Sequence, residues 1–319
     1  MNKFEKFQSA ISFKHANKIA INISPANAFR SRCEFAYDKN NYVMHGINEK
    51  IYMKTFTDAS LEIQNIMPIL LNEINNNDEI KEKLFQINFR SNQLNKLMIT
   101  VIYHKKIDES LIALLNQISK NLDINIIVRS KNFVHGIRGL YLEDMLAYKN
   151  LKIFQTDNTF TQSNKYLVDK MISKVINFID NQRDLLELYC GIGTFTLPLS
   201  FKFNKILATE SNRKSIKCLE KSLQENKISN VHNARLSSNE VSELFDGRIF
   251  NRMNMKNIND YDFSHILLDP PRSGLTDDVI SLASNFENII YVSCNSETYV
   301  RDIKLLESFE IDKIELFDQ

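Results

Sequence analysis

Apolar and polar positions change rhythm about halfway along the chain. Residues 17–57 alternate in short runs (KIAINIS, FRSRCEFAYD, NYVMHGI, KIYMKTF) broken by turn residues, which predicts an antiparallel sheet with one buried face. Leu61, Ile63, Ile66, Met67, Leu70, Leu71 and Ile74 then recur at helical spacing, predicting a helix from Leu61 to about Asn75. LFQINFRS (84–91) and LMITVIYHKK (97–106) read as a strand pair, 109–121 as a second helix, and 121–130 and 141–154 as extensions of the sheet. Pairing that is largely antiparallel implies an α+β first domain.

From about Tyr166 apolar runs alternate with helical patterns. A helix over 167–180 leads into LLELYC (185–190), and another follows Gly193. KILATE (205–210), a helix over 212–226, HILLDPP (265–271) and a helix over 276–285 come next. NIIYVSC (288–294), a helix over 296–308 and KIELF (313–317) complete the series. Such alternation predicts a doubly wound parallel sheet. The expected division is an α+β domain over 1–160 and an α/β domain over 161–319.

Composition narrows the class. No apolar run approaches the roughly 20 residues of a membrane span, and the N-terminal segment lacks a signal peptide's apolar stretch, so a cytoplasmic protein is expected. Cys33, Cys190, Cys218 and Cys294 lack the spacing of a metal site, and none is expected to bind metal. Residues 1–165 hold 22 Lys and Arg against 16 Asp and Glu, whereas residues 166–319 hold 18 against 23. A basic half joined to an acidic one suits a polyanion held by the first half, against chance asymmetry on solvated faces.

Candidate chemistry gathers at the predicted strand ends. Glu187-Leu188-Tyr189-Cys190-Gly191-Ile192-Gly193 closes one strand, where glycines permit a tight turn beside a nucleoside. A dinucleotide site would want a third glycine, and Thr196 stands there instead. Glu210, 19 residues after Gly191, can accept the two hydroxyls of a ribose, or simply cap a helix. Asp269 precedes Pro270 and Pro271, two of only five prolines in the chain, which stiffen a loop at the ligand-binding edge of such sheets. Cys294 follows a strand and precedes Asn295 and Ser296, both able to cap the next helix, and a helix N-terminus favours a thiolate. The alternative is a buried hydrophobe. Thiolate addition at C6 of uracil would make C5 nucleophilic toward a sulfonium methyl. Arg272 can stabilise the ring's charge or bind phosphate, or form a surface ion pair. Cys190 reads as packing, and Cys33 and Cys218 as structural.

FTQ (160–162), LLELYCGIGTFTLPL, ILATE, LDPPRSGL and YVSCNSET, in that order, resemble the bacterial tRNA (uracil-5-)-methyltransferases. SPANAFRSRCEFAYD, LFQINFRS and YHKKID resemble that family's RNA-binding domain, so the likeness covers nearly the whole chain. It implies a Rossmann-like class I methyltransferase domain preceded by an α+β RNA-binding domain, S-adenosyl-L-methionine as cofactor, and the tRNA T arm as partner. It also implies Cys294 as nucleophile, with Gln162, Tyr189, Gly191, Thr194, Glu210 and Asp269 around the methyl donor. Thr194 stands where these enzymes usually carry asparagine, and Ser296 where they usually carry proline. The ribosomal-RNA enzymes' N-terminal β-barrel and cysteine cluster have no counterpart, which favours tRNA.

In that family KIELFDQ continues into a Phe-Pro segment with a catalytic glutamate and then a last antiparallel strand. The sequence stops at Gln319, so impaired turnover and uncovered sheet edges are expected, with Glu297 better placed as a first-turn helix acid than as a substitute base. The competing reading is a tRNA-binding protein that remodels the T arm without turnover. An amino-group methyltransferase is disfavoured by Arg272 and Cys294. A monomer is expected.

Overall fold

The structure is a computed structural model that describes residues 2–47, 49–253 and 257–318. Gln319, at which the expected truncation falls, lies outside the described residues. The chain forms two compact units, each drawn from more than one stretch of sequence. One comprises 24–146 and 154–168; the other comprises 2–23, 147–153 and 169–318.

In the first unit seven strands form one sheet, in the order Lys50–Met53, Asn41–His45, Arg32–Asp38, Leu84–Ser91, Leu97–Tyr103, Asn125–Ser130, Phe133–Gly136. All neighbours are antiparallel except Leu97–Tyr103 with Asn125–Ser130. The helices Leu61–Asn75 and Glu109–Asn121 bury Ile63, Met67, Leu70, Ile74, Leu111 and Leu115 in the same core as Phe35, Ile87 and Phe89. Asp108 caps the second helix by accepting from the Leu111 N–H.

The second unit carries a five-stranded parallel sheet ordered Val231–Ala234, Ile206–Thr209, Asp184–Leu188, Phe263–Leu268, Asn288–Tyr291. The predicted α/β class is therefore observed. Asp184–Leu188 and Ile206–Thr209 are buried along their whole length, as continuous apolar runs in a parallel sheet require. Helices Arg213–Glu225, Ser238–Phe245, Asp277–Ala283 and Ser296–Leu305 connect and flank these strands, the first two capped by Asn212 and Ser237. Asn288–Tyr291 is the edge strand and is exposed to half-buried, unlike its fully paired neighbour.

Three expected sheet extensions fall elsewhere. Ala20–Asn22 pairs in parallel with Glu315–Phe317, so the first predicted strand leaves the antiparallel sheet and the last leaves the doubly wound one. The Asn22 side chain reinforces that pair by donating to Glu315 Oε2 at 2.8 Å. Leu142–Leu146 and Leu151–Gln155 form a separate two-stranded sheet instead of lengthening the seven-stranded one. Strand propensity is local, but the partner of a three-residue strand is fixed by what the rest of the chain packs against it. Here the helix Lys3–Ala10 and the residues after it bring Ile11 and Ile19 into a small core with Ile303, Tyr299 and Leu316.

Candidate active site

Parallel pairing sets the site. Leu188 is level with Thr209 and with Leu268, and Leu268 with Tyr291. The residues that follow these positions therefore leave the sheet along one carboxyl edge, where open parallel sheets receive ligands. Tyr189, Gly191 and Thr194 follow the central strand, Glu210 the second, Asp269 and Arg272 the fourth, and Cys294 the edge strand. Gln162 lies half-buried in a loop of the first unit, between Leu151–Gln155 and Lys165–Phe178.

Backbone bonds continue the ladder past the strand ends: Cys190 N–H donates to Thr209 O at 3.0 Å and Val292 N–H to Leu268 O at 2.8 Å. Tyr189 has φ +60 and Gly191 φ +57, so the chain turns sharply on leaving the sheet. Gly193, at φ +95, is required for another reason: a Cβ there would meet Leu219 Cδ1 at 2.5 Å, and only glycine lets the helix Arg213–Glu225 pack onto the turn. The space beside Gly191 is open, with no atom within 4 Å of where a Cβ would stand.

Glu210 locks two loops together. Its Oε2 accepts from the Gly191 N–H at 3.2 Å and its Oε1 from the Asn212 N–H at 2.7 Å. The acid is thus held at the edge by two backbone donors, with lone pairs remaining on Oε2. Asn212, not Glu210, caps the following helix.

Two further carboxyls lie deeper. Glu187 is 1% exposed, and burial pushes its pKa up to about 8, with the negative charge of Asp269 adding to the rise. Neither Glu187 Oε2 nor Thr196 Oγ1 has a hydrogen-bond partner among the described residues. Burial likewise raises Asp269, to about 7. The sequence motif contained Glu187, but its role went unread. An acid inside a run of Leu185, Leu186 and Leu188 was the available signal.

The thiols divide sharply. Cys294 is exposed, one residue before Asn295, which caps Ser296–Leu305 by accepting from the Glu297 N–H at 3.0 Å. Cys33, Cys190 and Cys218 are buried. Burial pushes the Cys33 thiol up to about 12 and that of Cys190 well above its ordinary value, so neither supplies a thiolate near neutral pH. Arg272 is exposed and has no acidic partner among the described residues, leaving its guanidinium available for an anion. Its carbonyl accepts from Asn295 Nδ2 at 3.0 Å and Thr298 Oγ1 at 3.3 Å, which ties the Asp269 loop to the helix behind Cys294.

No helix among the described residues is long and apolar enough to cross a membrane, and no cluster of three or more potential metal ligands occurs among them.

The family model described as tRNA (Uracil-5-)-methyltransferase matches residues 1–319. The chain is 39% identical over 324 residues to the tRNA/tmRNA (uracil-C(5))-methyltransferase of Aliarcobacter butzleri, covering 96% of this chain and 86% of that protein. It is 41% identical over 307 residues to the protein of the same name in Campylobacter lari, covering 93% and 88%. Among solved structures, it shares its fold with the Pyrococcus abyssi tRNA (uracil-54, C5)-methyltransferase in complex with S-adenosyl-L-homocysteine. That likeness has a TM-score of 0.77 at 18% identity, over 99% of this chain and 79% of that one.

Proposed function

From the membership of this chain in the tRNA (uracil-5-)-methyltransferase family, we propose that it methylates C5 of a T-loop uridine in tRNA, with S-adenosyl-L-methionine as methyl donor and Cys294 as covalent nucleophile. The observation that carries this reading is the lone exposed thiol at the carboxyl edge, on a helix N-terminus whose cap is bonded to the Asp269–Arg272 loop.

The donor's chemistry fits what stands at that edge. Glu210 is oriented by two backbone donors with acceptor capacity left for a ribose, and Gly191 leaves room beside it. Asp269 and Glu187, whose Oε2 has no partner among the described residues, suit a ligand bearing positive charge. Tyr189, Gly191, Thr194, Glu210 and Asp269 are assigned to hold it. When bound, S-adenosyl-L-methionine supplies an electrophilic sulfonium methyl.

The protein's own part begins with the Cys294 sulfur giving its electron pair to C6 of the uracil. The C5=C6 pair moves toward the C4 carbonyl oxygen, which leaves C5 nucleophilic. Arg272 offsets the charge on that oxygen or on a neighbouring phosphate. Once C5 carries the methyl, a base takes the C5 proton, the C–H pair restores the double bond, and the thiolate leaves. The seven-stranded unit is assigned to RNA contact, with Phe29, Arg30, Arg32, Lys105 and Lys106 among its basic and aromatic positions.

The test is incubation with unmodified tRNA and methyl-labelled S-adenosyl-L-methionine, following 5-methyluridine and protein–RNA adduct separately. Native protein is expected to place label at C5 or in an adduct, Cys294→Ala to do neither, and Cys33→Ala to match the native protein. Label at C5 from Cys294→Ala would remove the covalent mechanism. Adduct that forms without free product would identify release as the slow step, while tRNA binding with no label would favour the remodelling reading.

A further inference from the structure

One carboxylate joins three of the elements that meet behind the carboxyl edge. Asp302 is fully buried, yet both its oxygens are occupied. Oδ2 accepts from the Leu275 N–H at 2.9 Å and from the Tyr291 hydroxyl at 2.6 Å, and Oδ1 from Arg301 Nε at 2.8 Å. Leu275 ends the Asp269-Pro270-Pro271-Arg272 loop, Tyr291 ends the strand that leads to Cys294, and Asp302 sits in the helix that Cys294 precedes.

The surrounding contacts follow the same plan. Arg301 Nη2 donates to the carbonyls of Ser273 and Leu275, each at 3.0 Å. Asn295 and Thr298 reach the Arg272 carbonyl from the same helix. Residues 295, 298, 301 and 302 are spaced three and four apart, so one helix face grips one loop. Gly274, at φ +76, leaves no play: a Cβ there would meet Arg301 Nη2 at 2.5 Å and Asp302 Oδ2 at 2.6 Å. A buried anion with three donors is retained only where its partners are fixed, because any loosening leaves it desolvated and unpaired.

We infer that Asp302, with Tyr291 and Arg301, is the positioning residue of this site: it sets the distance and angle between Cys294 and the Asp269–Arg272 loop. The assignment rests on the covalent methyltransferase reading given above. Asp302 is too deeply buried to meet either substrate. Its contribution is orientation, and a misplacement of about 1 Å can cost a hundredfold in rate.

The test uses the full chain and tRNA in which the target uridine is 5-fluorouridine, whose C5 carries no removable proton, so the methylated adduct accumulates. Adduct formation is timed in a single turnover, with S-adenosyl-L-methionine and tRNA dissociation constants measured alongside. Asp302→Asn is expected to slow adduct formation about a hundredfold and Tyr291→Phe about tenfold, with both dissociation constants within about threefold of native. Native adduct rates in a folded Asp302→Asn protein overturn the inference. So do rates that fall only in proportion to lost binding. Should Asp302→Asn fail to fold, Tyr291→Phe decides, since it removes one hydroxyl and keeps the ring. A native protein that forms no adduct overturns the methyltransferase reading, and this inference with it. An active native protein with unaffected variants overturns the inference alone.

Discussion

Two buried polar clusters, one in each unit, are built in opposite ways. In the seven-stranded unit, Arg90 is 3% exposed and fully engaged. Its Nε donates to the Asp157 carbonyl at 3.1 Å, and its Nη1 to Gln155 Oε1 at 2.9 Å and to the Thr161 hydroxyl at 3.2 Å. Its Nη2 donates to the Thr159 carbonyl. Asp157 in turn pairs with Arg129. Along the carboxyl edge of the parallel sheet, Glu187 is buried and Asp269 half-buried, with no cation paired to either among the described residues, and one thiol is left exposed. Partnered groups hold a loop; unpartnered ones are available to a ligand. The contrast sets the unpaired carboxyls and the exposed thiol along one edge of the parallel sheet.

The sharpest way to break the comparison is thiol alkylation of the native protein. Cys294 is expected to react with iodoacetamide at least about a thousandfold faster than Cys33, Cys190 or Cys218, which need local opening first. Peptide mapping of the labelled sites checks this, and prompt labelling of Cys33 would end the division between exposed and buried thiols.

Removing Arg90 comes next in size. Arg90→Ala leaves the buried Asp157 and Thr159 carbonyls without a donor, and is expected to destabilise the seven-stranded unit by about 3 kcal/mol in urea unfolding. A loss under about 1 kcal/mol would mean that water replaces the guanidinium, and that this unit's polar groups are no more committed than those at the edge.

The smallest expected effect concerns pH. Both acids are raised, so each holds a proton in the folded, ligand-free protein through most of the range in which the unfolded chain has lost it. Their contribution to stability is therefore complete below the unfolded carboxyl pKa of about 4 and is lost as pH rises toward 7 to 8. A positively charged ligand favours the ionised acids. Binding of S-adenosyl-L-methionine should thus release protons and strengthen about tenfold between pH 6 and pH 8, with Glu187→Gln flattening the upper part of the curve. Titration calorimetry in two buffers of different ionisation enthalpy measures both quantities. An affinity independent of pH over that interval would show that the acids play no part in holding the cation.

Much of the site was legible in the sequence because its parts are local. A turn with Gly191 and Gly193, a Pro-Pro loop after Asp269 and a capping Asn295 before an amphipathic stretch each need only a few neighbouring residues to take their form. The sequence thus puts Cys294 just before a helix start, and the helix begins at Ser296. The Asp302 junction was not legible. Its donors come from residues 275, 291 and 301, and nothing in RDIKLL distinguishes a buried anchor from a solvated charge. The N-terminal segment was misassigned for a similar reason. Ala20–Asn22 has the pattern of a sheet strand, but its partner, Glu315–Phe317, lies at the other end of the chain.

By itself the sequence determined the periodicities, the turns and caps, and therefore the fold class and the row of strand-end candidates. All of these follow from the two repeat lengths of the backbone and from side chains acting on their own neighbours. Only the tertiary structure decided which strands pair, which thiol stays in water and which acids keep their protons. Pairing and protonation depend on how much solvent is excluded around a group, and that is set by residues far away in sequence.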